Sequence, residues 1–153
     1  MTIEDDIAFF ERVPTLNMLG RPALRILAIG AESRYVHSGE VLFNAGDPAD
    51  SGFVIQEGTF NLTTRRIEGG DSLLVGRGTL IGEIALLTDT VRPVTATANE
   101  PSTVLRIPRT LFLKMLEGYP DAAKKLRDFI ATRADESTRE IYGVRTILDE
   151  ARH

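Results

Sequence analysis

The sequence predicts a mainly β fold with flanking helices: a double-stranded β-helix (jelly roll) with N-terminal helices and a long C-terminal helix. Three observations predict it. Short apolar or alternating runs fill the middle of the chain, turn signals separate these runs, and both ends space their apolar residues as helices do. Many short strands at such spacing are typical of a sandwich or barrel of the jelly-roll kind. We divide this single domain into an N-terminal helical segment (1–32), a β-roll (33–109) and C-terminal helices (110–153).

The N-terminal segment is predicted to hold two helices. Thr2 and Asp5 have the spacing of a capping box, in which each residue's side chain accepts a hydrogen bond from the other's backbone N–H. Pro22 suits the first position of a second helix, because an N–H there would have no partner within the helix. Gly30 is a typical C-terminal stop.

The β-roll is predicted from seven runs that carry strand-like residues. They are RYV, EVLF, GFVI, TFNLTT, SLLVG, TATA and TVLRI. Glycine, asparagine, aspartate and proline between them indicate turns, which lie at His37-Ser38-Gly39, Ala45-Gly46-Asp47, Glu57-Gly58, Gly69-Gly70-Asp71 and Asn99-Glu100-Pro101-Ser102.

The C-terminal segment returns to helical spacing. Apolar residues between 111 and 116 are in helical register, and Gly118 and Pro120 predict a break after them. An apolar stripe continues from 121 to 153, but the polar residues 133–137 interrupt it, so it is not an unbroken coiled-coil seam. Gly143 indicates a hinge or an end within this stretch.

Composition excludes several classes of function. The chain has 153 residues, no cysteine and a net charge of −4, which argues against disulfides, thiolate metal sites and a broad nucleic-acid surface. His37 and His153 are the two histidines, in a turn and at the terminus, so neither a cupin-type metal site nor serine hydrolase chemistry fits. We predict no enzyme activity, no catalytic residue, no metal ligand and no cofactor. The acidic first residues and the absence of a membrane-length apolar stretch predict a cytoplasmic protein without membrane contact.

The stretch GEIALLTDTVRPVTATA, residues 82–98, carries the candidate site. EIALL is long enough for one helical turn, whose N-terminal N–H groups could bind an anion, and Gly82 would let that anion approach the backbone. Arg92 offers a planar fork for paired phosphate oxygens, and Glu83 could accept a hydrogen bond from a sugar hydroxyl. These residues suit a ligand with one phosphate and one free hydroxyl. The alternative is a surface salt bridge between Glu83 and Arg92, worth about 0–1 kcal/mol.

GEIALL followed by RPVTA resembles the phosphate-binding cassette of the cyclic nucleotide-binding domain family, with Gly-Glu-(Leu or Ile)-Ala-Leu, a short gap, and Arg-(small)-Ala-Thr-Ala. The stretch GEVLFNAGDPADSGFVIQEGTFNL is similar to the same family, and the resemblance covers roughly Phe10 to Asp149. It implies a cassette at 82–95 in which Glu83 accepts from the ribose 2'-hydroxyl and Arg92 binds the cyclic phosphate. It further implies that the phosphate and sugar are lined by Gly82, Ile84, Ala85 and Thr95.

Two further implications concern the purine and position 93. In the branch that resembles the catabolite activator protein, the long helix dimerises and its polar residues approach the purine, which implies Ser137 or Thr138 here.

Pro93 departs from the small residue usual at its position. It has no backbone N–H, so one common phosphate donor is missing. It also lacks the hydroxyl that favours cGMP in eukaryotic members.

The leading hypothesis is a regulatory sensor that binds a cyclic nucleotide, cAMP in preference to cGMP, and signals through its C-terminal helices to another protein as a homodimer. The alternative is a dimerisation or interaction module that keeps the fold and has lost nucleotide binding, which Pro93 motivates. The chain stops near where a helix-turn-helix domain would begin, so we expect no direct nucleic-acid contact. Whether it is a stand-alone sensor or a fragment of a longer regulator is left open.

Overall fold

The computed structural model describes residues 2–64, 72–129 and 131. Its N-terminal part contains helix α1 (Ile3–Phe10) and helix α2 (Arg21–Gly30), joined through a short 3-10 turn at Leu16–Met18. The predicted capping box is confirmed: the Asp5 N–H donates to Thr2 Oγ1 and the Thr2 N–H to Asp5 Oδ2, both at 3.1 Å. Helix α2 ends at Gly30 as predicted, but it begins at Arg21, one residue before Pro22.

The described middle of the chain forms ten strands, and every paired neighbour is antiparallel. They are β1 (Glu32–Val36), β2 (Val41–Phe43), β3 (Pro48–Ala49), β4 (Ser51–Glu57), β5 (Phe60–Thr63), β6 (Ser72–Val75), β7 (Leu80–Ile81), β8 (Thr90–Val91), β9 (Thr95–Ala98) and β10 (Ser102–Pro108). One sheet has the order β1-β10-β4-β7, a second has the order β2-β9-β5-β6, and β3 pairs with β8. The predicted mainly β jelly roll with flanking helices is confirmed.

All seven predicted runs contain strands, but three strands were not predicted. Strands β3, β7 and β8 have two residues each, which is too short for an alternation to be visible. The predicted turn at Gly69-Gly70-Asp71 lies outside the described residues.

Strand β4 separates two hydrophobic cores. Phe53 and Ile55 point into the space between the sheets, where they pack with residues such as Phe43 and Phe60. Val54 points to the opposite face, into the core that the helices cover. Because both faces of this strand are buried, its sequence GFVI is continuously apolar instead of alternating.

Within the part of the chain that the structure describes, two helices follow the β-roll. Helix α3 (Arg109–Gly118) buries Phe112 and Met115 against the helical core, and its Leu111 lies so close to Gly30 that a Cβ there would be 2.7 Å from the leucine methyl carbons. The predicted break is confirmed, because α3 ends at Gly118 and residues 120–129 form a further helix, α4. The long C-terminal helix is thus confirmed in part, and Gly143 lies outside the described residues. No helix within the described ranges is both long and apolar enough to cross a bilayer.

Candidate functional site

The cassette begins with a backbone conformation that favours glycine. Gly82 follows β7 with φ 83° and ψ 36°, in the left-handed region, and caps a 3-10 turn at Glu83–Leu86. The Ala85 N–H closes this turn by donating to Gly82 O at 3.1 Å. A four-residue 3-10 turn has few aligned peptide dipoles, so we attribute the positive charge of the site to Arg92 and not to a helix terminus.

The backbone of Arg92 is held against the turn that joins β2 to β3. Its N–H donates to Asp47 O and its carbonyl accepts from the Gly46 N–H, both at 2.8 Å. Thr95 reinforces the same turn, because its Oγ1 accepts from the Ala45 N–H at 2.9 Å. Two segments about 45 residues apart in the chain are therefore fixed to one another at the site.

The side chain of Arg92 is buried and lies on two aromatic rings. It is 5% exposed, and its guanidinium carbon lies 4.3 Å from the ring centre of Phe43 and 5.3 Å from that of Phe53. Nη2 donates to Ser51 Oγ at 3.3 Å, and Nη1 has no hydrogen-bond partner among the described residues. The rings provide cation–π attraction but accept no strong hydrogen bond. The guanidinium thus keeps a buried donor available.

Gly82 and the Arg92 guanidinium are in direct proximity. A Cβ placed on Gly82 would overlap Nη1 of Arg92 and would lie 3.2 Å from Ser51 O. The first glycine of the cassette is therefore required by its φ and also by the space that the arginine occupies.

Among the described residues, no carboxylate forms a salt bridge with Arg92. Burial lowers the pKa of Arg92, and the carboxylates of Asp50 and Asp47 oppose that effect. A guanidinium nevertheless stays protonated in proteins, because its ordinary pKa lies far above neutral pH. Burial raises the pKa of Asp50, but the Ser51 hydroxyl and Arg106 outweigh burial and leave that pKa lowered. A buried cation in such a setting favours an incoming anion.

The other predicted site residues differ in their exposure. Glu83 is half-buried, Ala85 is buried, and Ile84 is 51% exposed at the surface of the turn. Pro93 is exposed in a bend between β8 and β9, so it removes no hydrogen bond from either strand. Ser137 and Thr138 lie outside the described residues.

The structure adds residues that the sequence did not single out. Phe43, Phe53 and Ser51 contact Arg92 from β2 and β4. No local spacing indicates these contacts, because each residue also reads as an ordinary strand position. The alternative of a surface salt bridge does not fit, since it needs an exposed guanidinium and that of Arg92 is buried. Within the described ranges, no cluster of three or more His, Asp or Glu residues could hold a metal ion.

The described residues form a jelly-roll β-roll with flanking helices, in which a buried arginine lies beside a Gly-Glu turn. Comparison with known proteins gives the family. The family model described as "Cyclic nucleotide-binding domain" matches residues 33–119, more than half of the chain. The chain belongs to the cyclic nucleotide-binding domain family.

Solved structures and a curated relative agree with this assignment. The cyclic nucleotide-binding-like protein of Brucella abortus is 35% identical, covers 74% of this chain and 98% of its own, and has a TM-score of 0.66. The N-terminal domain of a transcriptional regulator from Streptomyces coelicolor is 26% identical, covers 87% of this chain and 94% of its own, and has a TM-score of 0.77. Lysophospholipase NTE1 of Chaetomium globosum is 32% identical over 119 residues. Those residues make up 76% of this chain and 8% of that protein, so the chain spans only a small part of this curated relative.

Proposed function

We propose that this chain is a regulatory sensor that binds a cyclic nucleotide through the cassette 82–95, cAMP in preference to cGMP. The observation that carries the proposal is Arg92, a nearly fully buried guanidinium whose Nη1 has no partner among the described residues. A cyclic phosphate offers two exocyclic oxygens, one axial and one equatorial, to such a fork, and a charge-assisted bond there would compensate the desolvation of the cation.

The remaining contacts follow the family resemblance. Glu83 accepts from the ribose 2'-hydroxyl, and the backbone of Gly82, Ile84 and Ala85 lines the phosphate and sugar. Thr95 contributes from β9, where its hydroxyl already orders the neighbouring turn. Pro93 has neither an N–H nor a hydroxyl to offer, which weakens the phosphate contact and disfavours cGMP. No metal and no further cofactor enter this proposal.

The output is proposed to pass through the C-terminal helices. Binding would reposition α3, α4 and the residues up to 153, which would form a homodimer contact, and Ser137 or Thr138 would approach the purine. We propose a cytoplasmic location, a protein as the downstream partner and no direct contact with nucleic acid or membrane. The chain itself is proposed to be non-catalytic, although relatives named lysophospholipase contain a similar segment.

A second candidate is a ligand-independent dimerisation or interaction module. Pro93 favours it, because the missing N–H removes one hydrogen bond to a charged group, a loss of about 1.5–3 kcal/mol. That loss corresponds to about ten- to a hundredfold in affinity. The same fold would then serve only as a scaffold for the C-terminal helices.

Thermal unfolding with and without cAMP and cGMP separates the two candidates. A bound ligand stabilises the chain by RT ln(1 + [L]/Kd), about 2.7 kcal/mol at a hundredfold excess over Kd. We expect a shift with cAMP, a smaller one with cGMP, and none in Arg92→Ala or Arg92→Lys. Arg34→Ala is the matched control, since Arg34 pairs with Glu40 at 3.7 Å on the surface. No shift with either nucleotide at millimolar concentration would exclude the sensor.

A further inference from the structure

Arg109 lies where the β-roll meets the helices. It is the first residue of α3, directly after β10, and its backbone N–H donates to Asp50 O at 2.8 Å. Asp50 precedes Ser51, whose hydroxyl accepts from Arg92. The start of α3 is therefore attached to the same strand segment that contacts the buried arginine of the site.

The guanidinium of Arg109 reaches across to the cassette. Nη1 contacts three carbonyl oxygens, those of Thr88 at 2.9 Å, Ala49 at 3.1 Å and Ala85 at 3.4 Å. Nη2 donates to Asp89 Oδ1 at 2.6 Å. Because Nη1 has two hydrogens, three acceptors must share them. One side chain of α3 thus holds the 3-10 turn, the residues that follow it, and strand β3.

The exposure of Asp89 and Arg109 shows which of these contacts contribute more to stability. Asp89 is 96% exposed, so its ion pair with Arg109 is of the surface kind that contributes little. Arg109 is only 20% exposed, and its bonds to carbonyl oxygens are charge-assisted. A cation near the last carbonyls of a short helical turn also satisfies acceptors that the turn itself leaves unpaired.

We propose that Arg109 is a positioning residue that clamps the cassette turn to the first turn of α3. A movement of α3 away from the β-roll would pull this guanidinium off the carbonyls of Ala85 and Thr88 and release the turn. Conversely, a ligand that orders the turn would favour the position of α3 that keeps the clamp closed. The contacts that make up the clamp are those of the ligand-free protein. Its effect on ligand affinity rests on the proposed function.

Amide-resolved hydrogen exchange of the ligand-free chain tests the clamp without any nucleotide. The N–H groups of Ala85, Leu87 and Thr88 report on the turn, since they donate to Gly82 O or Ile84 O within it. In Arg109→Ala we expect these amides to exchange about 10- to 100-fold faster, the factor that corresponds to losing a hydrogen bond to a charged group. Amides of the β4–β10 ladder should keep their rates.

Three further variants separate the clamp from charge and from general stability. Asp89→Ala removes only the exposed ion pair and should change the turn amides by less than about threefold. Arg109→Lys keeps the charge without the fork and should restore only part of the protection. Arg34→Ala, at a distant surface pair, should leave the turn unchanged. Equal acceleration in the turn and the β4–β10 ladder, or no acceleration in Arg109→Ala, would overturn the proposal.

Nucleotide affinity gives the second readout. If the chain binds cAMP, Arg109→Ala should bind it about tenfold or more weakly while Asp89→Ala binds it normally. Unchanged affinity in Arg109→Ala would refute the coupling to the ligand even if the turn opens. If the wild-type chain binds no nucleotide, the proposed function fails, and the exchange experiment still decides whether Arg109 clamps the turn.

Discussion

Gly82→Ala tests the closeness of the cassette glycine and Arg92, and the chain offers a matched control. Gly82 and Gly39 have the same φ of 83°, but a Cβ on Gly39 would have no atom of the described residues within 4 Å. Alanine in the left-handed region costs roughly 1–2 kcal/mol. Both variants should therefore lose that much stability, which lowers the melting temperature by about 2–4 °C per kcal/mol for a chain of this size.

The two variants should differ in ligand binding. The methyl group at position 82 would overlap Nη1 of Arg92, and the guanidinium must move by about 1 Å to reach ordinary van der Waals contact. Phe43, Phe53 and Ser51 surround that guanidinium, so it has little room to move without losing its orientation. Loss of one charged hydrogen bond to phosphate corresponds to about 1.5–3 kcal/mol, or about 10- to 100-fold in Kd.

Differential scanning fluorimetry gives the stability of both variants, and isothermal titration calorimetry with cAMP gives their affinities. We expect Gly82→Ala to lose at least as much stability as Gly39→Ala, because its methyl group also overlaps Arg92, and we expect a weaker Kd in Gly82→Ala alone. The reasoning is refuted if Gly82→Ala binds cAMP as Gly39→Ala does. It is equally refuted if Gly39→Ala loses affinity to the same extent, because the effect would then come from global destabilisation.

Two further predictions concern stability. Gly58→Ala should destabilise the chain by about 1–3 kcal/mol more than Gly39→Ala, because its added Cβ would lie 2.8 Å from the backbone atom Cα of Ser102. Chemical denaturation measures the difference in the free energy of unfolding, and equal losses in the two variants would contradict the prediction. Burial raises the pKa of Asp6, whose Oδ1 accepts a hydrogen bond from Gln56 Nε2 at 3.4 Å. Because the folded state binds this proton more tightly than the unfolded state, the protonated carboxyl stabilises the fold. That stabilisation is lost as the pH rises through the raised pKa. At pH 7, Asp6→Asn should therefore have a higher melting temperature than the wild type. At about pH 3, below the usual aspartate pKa, the two melting temperatures should be equal. A difference that stays constant between about pH 3 and pH 7 would contradict this prediction.

Features that depend on neighbours in the chain were predicted well. The capping box at Thr2 and Asp5 needs only three residues of separation, and the break between Gly118 and Pro120 follows from their backbone limits. The seven strand-like runs were predicted correctly for the same reason, because residue type and alternation are visible within each run. By contrast, Pro22 was placed one residue too late in α2, since helix boundaries depend on local packing as well as residue type.

Features that depend on contacts across the fold were missed. Strands β3 and β8 exist because Pro48 and Ala49 pair with Val91 and Thr90, and two residues carry no pattern of their own. The hydroxyl of Thr95 accepts from an amide 50 residues away, which no local motif indicates. Arg109 was placed at the end of the β-roll and not in a helix, and no local signal indicated that its side chain contacts carbonyl oxygens of the cassette.

By itself, the sequence predicted the fold class, seven of the ten described strands and the stretch that contains the candidate site. Turn residues and alternation are local properties and suffice for the fold class, whereas the site stretch was selected by its resemblance to a family motif. Only the tertiary structure decided that Arg92 is buried on Phe43 and Phe53 with one donor that has no partner among the described residues, and that Arg109 of α3 contacts carbonyl oxygens of the cassette. Burial and partner choice arise when distant strands close over one another, and that information is not contained in any single segment.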